Sequence, residues 1–299
     1  MKQIDLNAYA KINLAIDVLG KLPSGYHEIA TVMQQVELHD KVCVRWLPGQ
    51  GQEIELNSNK RFLPKDGRNL AVQAAELMIN RFGIYEKFGA GKVRIDIKKQ
   101  IPVGAGLGGG SADCAAVLHA LSEIWELGLS TQALCDLGAP LGADVPFCVM
   151  GQAGQTAALA EGIGTTLTPI RGIDVWIVLT KPPVSVSTAE VYKGYSLIED
   201  KNFERPDSKQ LISAIHDGNF EKIVKNIVNV LENFTLKAYA SVMYTKNKVI
   251  TETSPVKAVM SGSGPTIIGF YESRESAEAA YDMIRHFNKE TILTKTLIK

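Results

Sequence analysis

"IPVGAGLGGGSADCAAVLHAL", residues 101–121, places five glycines in the seven positions 104–110 and follows them at once with a helix-like apolar pattern. Glycine loses more backbone entropy on folding than any other residue, so such a run is costly unless the loop must do what only glycine allows. Consecutive glycines let main-chain N–H groups turn inward and leave no Cβ to block a ligand. A helix start then adds unpaired N–H donors and roughly half a positive charge. Ser111 stands where it can cap that helix. Together these features predict an anion cradle that needs no basic side chain. The competing reading is a loop that is merely flexible or tightly packed, and so many glycines before a helix are unusual for that.

Gly104, Gly106 and Gly109 formally match G-x-G-x-x-G. A dinucleotide fold wants that pattern in its first strand-to-helix turn, after a buried parallel strand and with an acidic residue about 20 positions on. Here it lies deep in the chain. Glu123 is near the required distance but sits in a helical context. No Gly-Lys-Ser/Thr follows, so the loop is not a Walker A motif either.

Upstream, "KVRIDIKKQIP" alternates cleanly: Val93, Ile95 and Ile97 face one way, Arg94, Asp96 and Lys98 the other. That pattern predicts a half-buried antiparallel strand. Asn69 opens a helix that closes near Gly83. The loop's own helix is expected over about Ser111–Leu127, and "TQALCDLGAPLG" reads as the next. Asp144 in "LGADVPF" falls at an expected helix-to-strand junction, where an Asp is ordinarily a cap or an Asx-turn. Further strands are read in "NAYAKINLAIDVLG", "IATVMQQVEL", "DKVCVRWLP" and "DVWIVLTKP". Residues 207–246 read as mostly helical, "VKAVMSGSGPTIIGFY" as strand, glycine turn, strand, and "SRESAEAAYDMIRHF" as a closing amphipathic helix. Strands and helices mix without strict alternation, so the fold class is α+β. The Gly-, Ala- and Thr-rich stretch 152–170 marks the passage to a second domain.

The chain has 299 residues, 45% hydrophobic and 21% charged, with 32 basic and 32 acidic side chains. This fits a soluble globular protein of one or two domains. A net charge of zero argues against nucleic-acid binding, so an anion site must be local. Cys43, Cys114, Cys135 and Cys148 form no CxxC pair and sit beside no histidine at metal-ligand spacing, so they read as reduced core residues. The N-terminal stretch lacks the 7–15-residue apolar core of a signal peptide, and "VWIVL" at 175–179 is too short to span a bilayer. A cytoplasmic enzyme, monomeric or homodimeric, with no membrane or nucleic-acid partner, is expected.

"PVGAGLGGGSA" at 102–112 resembles the phosphate loop of the GHMP small-molecule kinases. "AYAKINL" at 8–14 resembles their N-terminal motif and "SGSGPTIIGF" at 261–270 their C-terminal glycine motif. "AKINL", "SGYHEI" and "LGADVPFC" are similar to the branch that phosphorylates the 2-hydroxyl of a cytidine diphosphate conjugate of methylerythritol, in non-mevalonate isoprenoid biosynthesis. The resemblance spans nearly the whole chain. It implies an ATP-dependent kinase of the GHMP fold: two domains with mixed and antiparallel sheets and an active-site cleft between them. Residues 1–155 would form the ATP-binding domain and 156–299 a C-terminal domain contributing to the substrate pocket.

The same resemblance assigns roles. Lys11, which alone would read as a solvated residue of an apolar strand, becomes catalytic with Asp144. Pro102, Val103, Gly104, Ala105, Gly106, Leu107, Gly108, Gly109, Gly110, Ser111 and Ala112 would hold ATP. Asn69 would lie near the adenine, or simply cap its helix. Lys99 would reach phosphate, or simply be solvated. Asn13, Tyr26, His27, Thr188 and Tyr192 would bind the acceptor, with an aromatic face for the flat cytosine. Mg²⁺ would accompany ATP, with Ser111 a candidate ligand. Ala112 replaces a serine present in many relatives of the family. The alternatives are another GHMP kinase of homoserine or mevalonate type, a non-enzymatic nucleotide-binding member, and a dinucleotide oxidoreductase, which the loop's position disfavours.

Overall fold

The computed structural model describes residues 2–298. The first part of the chain runs β1 (Lys2–Lys21), β2 (His27–Pro48), β3 (Gln52–Ser58), α1 (Leu70–Phe82), α2 (Ile84–Phe88), β4 (Gly91–Lys98), α3 (Gly109–Ile124), α4 (Thr131–Gly138) and α5 (Val145–Gln152). It continues through β5 (Ala157–Gly162), β6 (Thr166–Pro169), β7 (Trp176–Thr180), α6 (Thr188–Ser196), α7 (Ser208–Asp217), α8 (Phe220–Asn226), α9 (Glu232–Ala238), α10 (Ala240–Thr253), β8 (Lys257–Met260), β9 (Ile267–Tyr271), α11 (Arg274–Ile284) and β10 (Thr291–Lys295). Among the described residues, no helix is long and apolar enough to cross a membrane.

Two compact units form. Of the described residues, the first holds 2–10, 38–101 and 108–155; the second holds 11–37, 102–107 and 156–298. The glycine-rich stretch therefore divides, its first six residues folding with the second unit and the rest with the first.

In the first unit β4 is the organising strand. Val93, Ile95 and Ile97 are buried as the alternation requires. Its outward side chains pair across the sheet, Arg45 Nη1 donating to Asp96 at 2.7 Å. β4 runs antiparallel to the distal part of β2, Lys41–Pro48. Its other neighbour, β3, is parallel. The expectation of a purely antiparallel strand is corrected there: alternation reports which face is wet, not which way a neighbour runs. α1 packs on α3. α1 has the caps read from sequence: Asn69 Oδ1 accepts from Ala71 N, and Gly83 closes the helix in the left-handed region. Buried alanines and Cys114 along α3 permit close helix contact. Asp144 does not precede a strand. It stands at the start of α5, whose "VPFCV" run is buried on every side. A short apolar run bounded by turn residues suits a buried helix as well as a strand, and here the helix wins.

In the second unit, the proximal part of β2 (Ile29–Gln34) pairs antiparallel with β5, and β5 with β6. A separate antiparallel sheet has the order β10-β7-β9-β8. Ile16, Val178, Val191, Tyr195, Val242, Met260 and Ile267 contribute to its core. β8 and β9 enclose the "SGSGPT" turn foreseen as a glycine hairpin. The four cysteines are unbridged; Cys114, Cys135 and Cys148 are buried.

Candidate active site

Three of the motifs singled out from sequence meet inside the second unit. The main-chain N–H of Lys11 donates to the carbonyl of Leu107 at 3.0 Å. Ser261 Oγ donates to the carbonyl of Gly106, also at 3.0 Å. Gly106 has φ +73°, and a Cβ there would lie 2.5 Å from the Ser261 carbonyl oxygen and 2.9 Å from that of Gly264. Only glycine fits this close approach. The 261–266 turn is held in turn by Asn229, whose Nδ2 donates to the carbonyls of Met260 and Gly262. Asn229 carries no motif signal, and sequence reasoning missed it.

Lys11 is not the solvated lysine that an apolar strand suggests: it is only 4% exposed. Its Nζ donates to Asn13 Oδ1 at 2.9 Å. Asn13 Nδ2 donates to Thr31 Oγ1 at 2.8 Å, and Thr31 Oγ1 donates to the Ala15 carbonyl. The two-residue spacing that put Lys11 and Asn13 on one face of the strand thus yields a direct bond and an oriented ammonium group.

The second part of the glycine stretch opens α3 in the first unit. Gly108, at φ +67°, is the residue before the helix, and no side chain caps it. Ser111 is therefore not the cap expected from sequence; it lies within the first turn, because the left-handed Gly108 starts the helix earlier. The first helical bond runs from Ala112 N to Gly108 O. The N–H groups of Gly109, Gly110 and Ser111 precede it, and they are the donors an anion would take. Ser111 lies beside the turn that carries Asp144, since a Cβ on Gly142 would be 3.9 Å from Ser111 Oγ. Asp144 occupies the cap position of α5; its carbonyl accepts from Cys148 N, and its side chain makes no capping hydrogen bond to that helix.

Asn69 uses both halves of its amide locally, accepting from Ala71 N and donating to the Pro64 carbonyl at 2.9 Å. Lys99 is not a solvated strand-end lysine. It is buried, with Nζ 2.5 Å from Asp40 Oδ2 and 2.6 Å from Asp113 Oδ2. Neither acidic partner was read from sequence.

The aromatic candidates also gather in the second unit. The His27 and Tyr192 rings lie 5.2 Å apart, tilted by 32°. His27 Nε2 is 2.6 Å from Ser196 Oγ. Ser196 Oγ donates its one proton to the Tyr192 carbonyl at 2.9 Å. With the hydroxyl proton so placed, Nε2 of the neutral ring donates to Ser196 Oγ and Nδ1 is an acceptor. Partial burial, with Lys21 and Lys201 nearby, lowers the His27 pKa, which favours that neutral form. Tyr26 is 66% exposed, an open ring in the turn before β2. Thr188 Oγ1 lies 2.9 Å from Ser263 Oγ, which links α6 to the glycine turn.

Residues 69–152 match the model of the GHMP kinases N terminal domain and residues 211–290 that of the GHMP kinases C terminal domain. The chain is 43% identical over 298 residues to a 4-diphosphocytidyl-2-C-methyl-D-erythritol kinase of Alkaliphilus oremlandii, covering 99% of this chain and 97% of that one. It is 41% identical to the enzyme of the same name from Geobacillus thermodenitrificans, again over 99% and 97%. The chain belongs to the 4-diphosphocytidyl-2-C-methyl-D-erythritol kinase family of the GHMP kinases. Its fold agrees: a crystal structure of a 4-(cytidine 5'-diphospho)-2C-methyl-D-erythritol kinase aligns with TM-score 0.79 at 28% identity, over 98% of this chain and 99% of that one. A homoserine kinase from Cytophaga hutchinsonii aligns at 0.72 with 17% identity over 100% and 96%, a likeness of fold. The chain is thus an ATP-dependent small-molecule kinase of the α+β GHMP fold. Asn69, Lys99, residues 102–112 and Asp144 fall in the N-terminal match and the 261–266 turn in the C-terminal one. Lys11, Asn13, Tyr26, His27, Thr188 and Tyr192 lie outside both.

Proposed function

We propose that the chain transfers the terminal phosphate of ATP to the 2-hydroxyl of 4-diphosphocytidyl-2-C-methyl-D-erythritol, a step of non-mevalonate isoprenoid biosynthesis in the cytoplasm. Residues 1–155 act as the ATP-binding domain and 156–299 complete the acceptor pocket. Main-chain groups of Pro102–Ala112 receive the phosphates, aided by the helix start at Gly109–Ser111. The observation that best supports this reading is the double tie of the loop, Leu107 to Lys11 N and Gly106 to Ser261, which fixes part of the glycine-rich loop to the strand that carries a buried lysine.

Phosphoryl transfer asks chiefly for positioning and for neutralisation of charge. Asp144 takes the proton of the acceptor hydroxyl as its oxygen bonds to the γ-phosphorus. The bond from that phosphorus to the β,γ-bridging oxygen breaks, and ADP leaves. Lys11, aimed by Asn13, stabilises the negative charge on the acceptor oxygen. Mg²⁺ travels with ATP and neutralises phosphate charge when bound. Among the described residues no cluster of three or more His, Cys, Asp or Glu could hold a metal. Ser111, whose hydroxyl is not spent as a helix cap, fits the single protein oxygen that a phosphate-borne Mg²⁺ accepts.

Tyr26, His27 and Tyr192 take the cytosine, and Asn13 and Thr188 face the rest of the acceptor. The acceptor lone pair on His27 Nδ1 suits the N4 amino group of cytosine and meets an oxygen at the same place in uracil. Asn69 lies at the adenine side and Lys99 beneath the phosphate loop. The test is ADP release with a panel of acceptors, including cytidine and uridine conjugates, homoserine and mevalonate. Turnover confined to the cytidine conjugate supports the reading; equal turnover of the uridine conjugate removes the base pocket, and turnover of homoserine or mevalonate instead replaces the acceptor.

A further inference from the structure

Lys99, Asp40 and Asp113 form a buried ion triad beneath the start of α3. Asp40, from β2, accepts from two consecutive main-chain N–H groups where the chain leaves β4: Gln100 at 2.5 Å and Ile101 at 2.9 Å. Its other oxygen accepts from Lys99 Nζ. Asn59 clasps the Lys99 main chain, Oδ1 accepting from Lys99 N at 2.7 Å and Nδ2 donating to Lys99 O at 3.1 Å. Lys99 Nζ then crosses to Asp113 Oδ2, one turn into α3. A Cβ on Gly109 would lie 3.0 Å from that Nζ, so the ammonium sits directly against the helix start.

We propose that Lys99, Asp40 and Asp113 are positioning residues: the triad ties the end of β4 to the first turn of α3 and so holds the phosphate loop strung between them in its nucleotide-binding shape. The inference rests on the reading of that loop as the ATP cradle. Both stems of the loop, 99–101 and 109–113, are fastened to one ammonium group, which leaves residues 102–108 a short span with few alternative shapes. Ordering such a loop in advance lowers the entropy that ligand binding must otherwise spend.

Burying charges is a poor route to stability alone, because well-packed apolar replacements of buried ion groups are often neutral or stabilising. A role in geometry accounts for them better. Asp113 Oδ1 is buried with no hydrogen-bond partner, a cost that stability by itself does not explain. Two of the three Lys99 donors go to carboxylates, so its influence on phosphate runs through the loop it supports. The charge is also balanced for a polyanion. Burial, with Asp40 beside it, outweighs the Lys99 ammonium and pushes the Asp113 carboxyl up to about 7. With that proton in place the triad is neutral and does not repel phosphate.

The test compares wild type, Asp113→Ala and Asp113→Asn. Asp113→Ala cuts the tie to the helix yet leaves Lys99 and Asp40 as a balanced pair; Asp113→Asn keeps an oxygen that can accept from Lys99. Calorimetric titration with a nonhydrolysable ATP analogue and amide hydrogen exchange over residues 100–113 without nucleotide are the readouts. The expected result is nucleotide affinity weakened at least about tenfold in Asp113→Ala, with faster exchange confined to this segment, an unchanged KM for the acceptor, and most of the affinity restored in Asp113→Asn. Wild-type affinity and exchange in Asp113→Ala would overturn the inference. So would a general loosening, in which Tm, acceptor KM and exchange across the whole unit all change together. Failure of the wild type itself to bind the analogue, with the segment still protected from exchange, would count against the ATP reading and leave the clamp intact.

Discussion

Lys11 and Leu107 are joined through their backbones: the lysine N–H donates to the leucine carbonyl at 3.0 Å. One strand thereby fixes both an ammonium, which its neighbour Asn13 orients, and one end of a glycine-rich loop. A displacement of this strand moves both together. The proposed reaction needs that coupling, because the charge on the transferred phosphate and the group that stabilises it must keep register.

Gly106→Ala tests the loop's other tie. The new Cβ would fall 2.5 Å from the Ser261 carbonyl oxygen, at a left-handed φ that penalises any side chain. Overpacking costs about 1–3 kcal/mol and the left-handed backbone about 1–2 more. The expected outcome is a rise of at least tenfold in the KM for ATP with the acceptor KM little changed, measured by steady-state kinetics.

Asp144→Asn and Lys11→Met should each lower kcat by about 10²–10⁴ while leaving ATP affinity within a few-fold. Each removes a group assigned to the reacting hydroxyl, and the double variant should lose little more than the worse single one if both act on the same proton transfer. Rapid-quench measurement of the chemical step checks this; an unchanged chemical rate in either variant removes that residue from the mechanism.

His27 gives the acceptor site a pH dependence. Burial, with help from Lys21 and Lys201, lowers its pKa from the ordinary 6.5, so the neutral ring persists into mildly acidic solution. Protonation puts a hydrogen on Nδ1 and turns the proposed acceptor into a donor. The KM for the cytidine conjugate should therefore climb as pH falls through that lowered pKa, while the KM for ATP follows no such rise. His27→Gln should remove the climb.

Asp113 supplies a stability signature. Its carboxyl holds its proton up to about 7 in the folded protein, against 3.8 for the ordinary group, with burial the main cause. The folded state thus binds more protons between these values, and stability falls as pH rises through the window. Relative to Asp113→Asn, the wild type should be more stable at pH 4–5 than at pH 8. Urea unfolding at both pH values checks the sign; a wild type that gains on the variant as pH rises would contradict it.

Much of this was legible because it is local. Asn69 and Gly83 cap α1 by rules that act within one turn, and the alternation of Val93, Ile95 and Ile97 declares their buried face. The run of glycines before α3 is local in the same sense, and the proposed anion cradle rests on its chemistry. What escaped is non-local or degenerate. Alternation does not say that β3 lies parallel to β4. "VPFCV" after Asp144 reads equally as buried strand or buried helix. Gly108 begins α3 by backbone conformation, so Ser111 is not needed as a cap. Lys99 finds its carboxylates 59 and 14 positions away. Ser196, the hydrogen-bond partner of His27 Nε2, sits 169 residues from it. Such partners carry no sequence pattern of their own.

A crystal structure with a nonhydrolysable ATP analogue and the cytidine diphosphate conjugate puts the central claim to its most direct trial. Phosphate oxygens should lie on the main-chain amides between Gly104 and Ser111, and the acceptor 2-hydroxyl within about 3 Å of an Asp144 oxygen. A nucleotide bound elsewhere with those amides empty, or an acceptor hydroxyl facing away from Asp144, would contradict it.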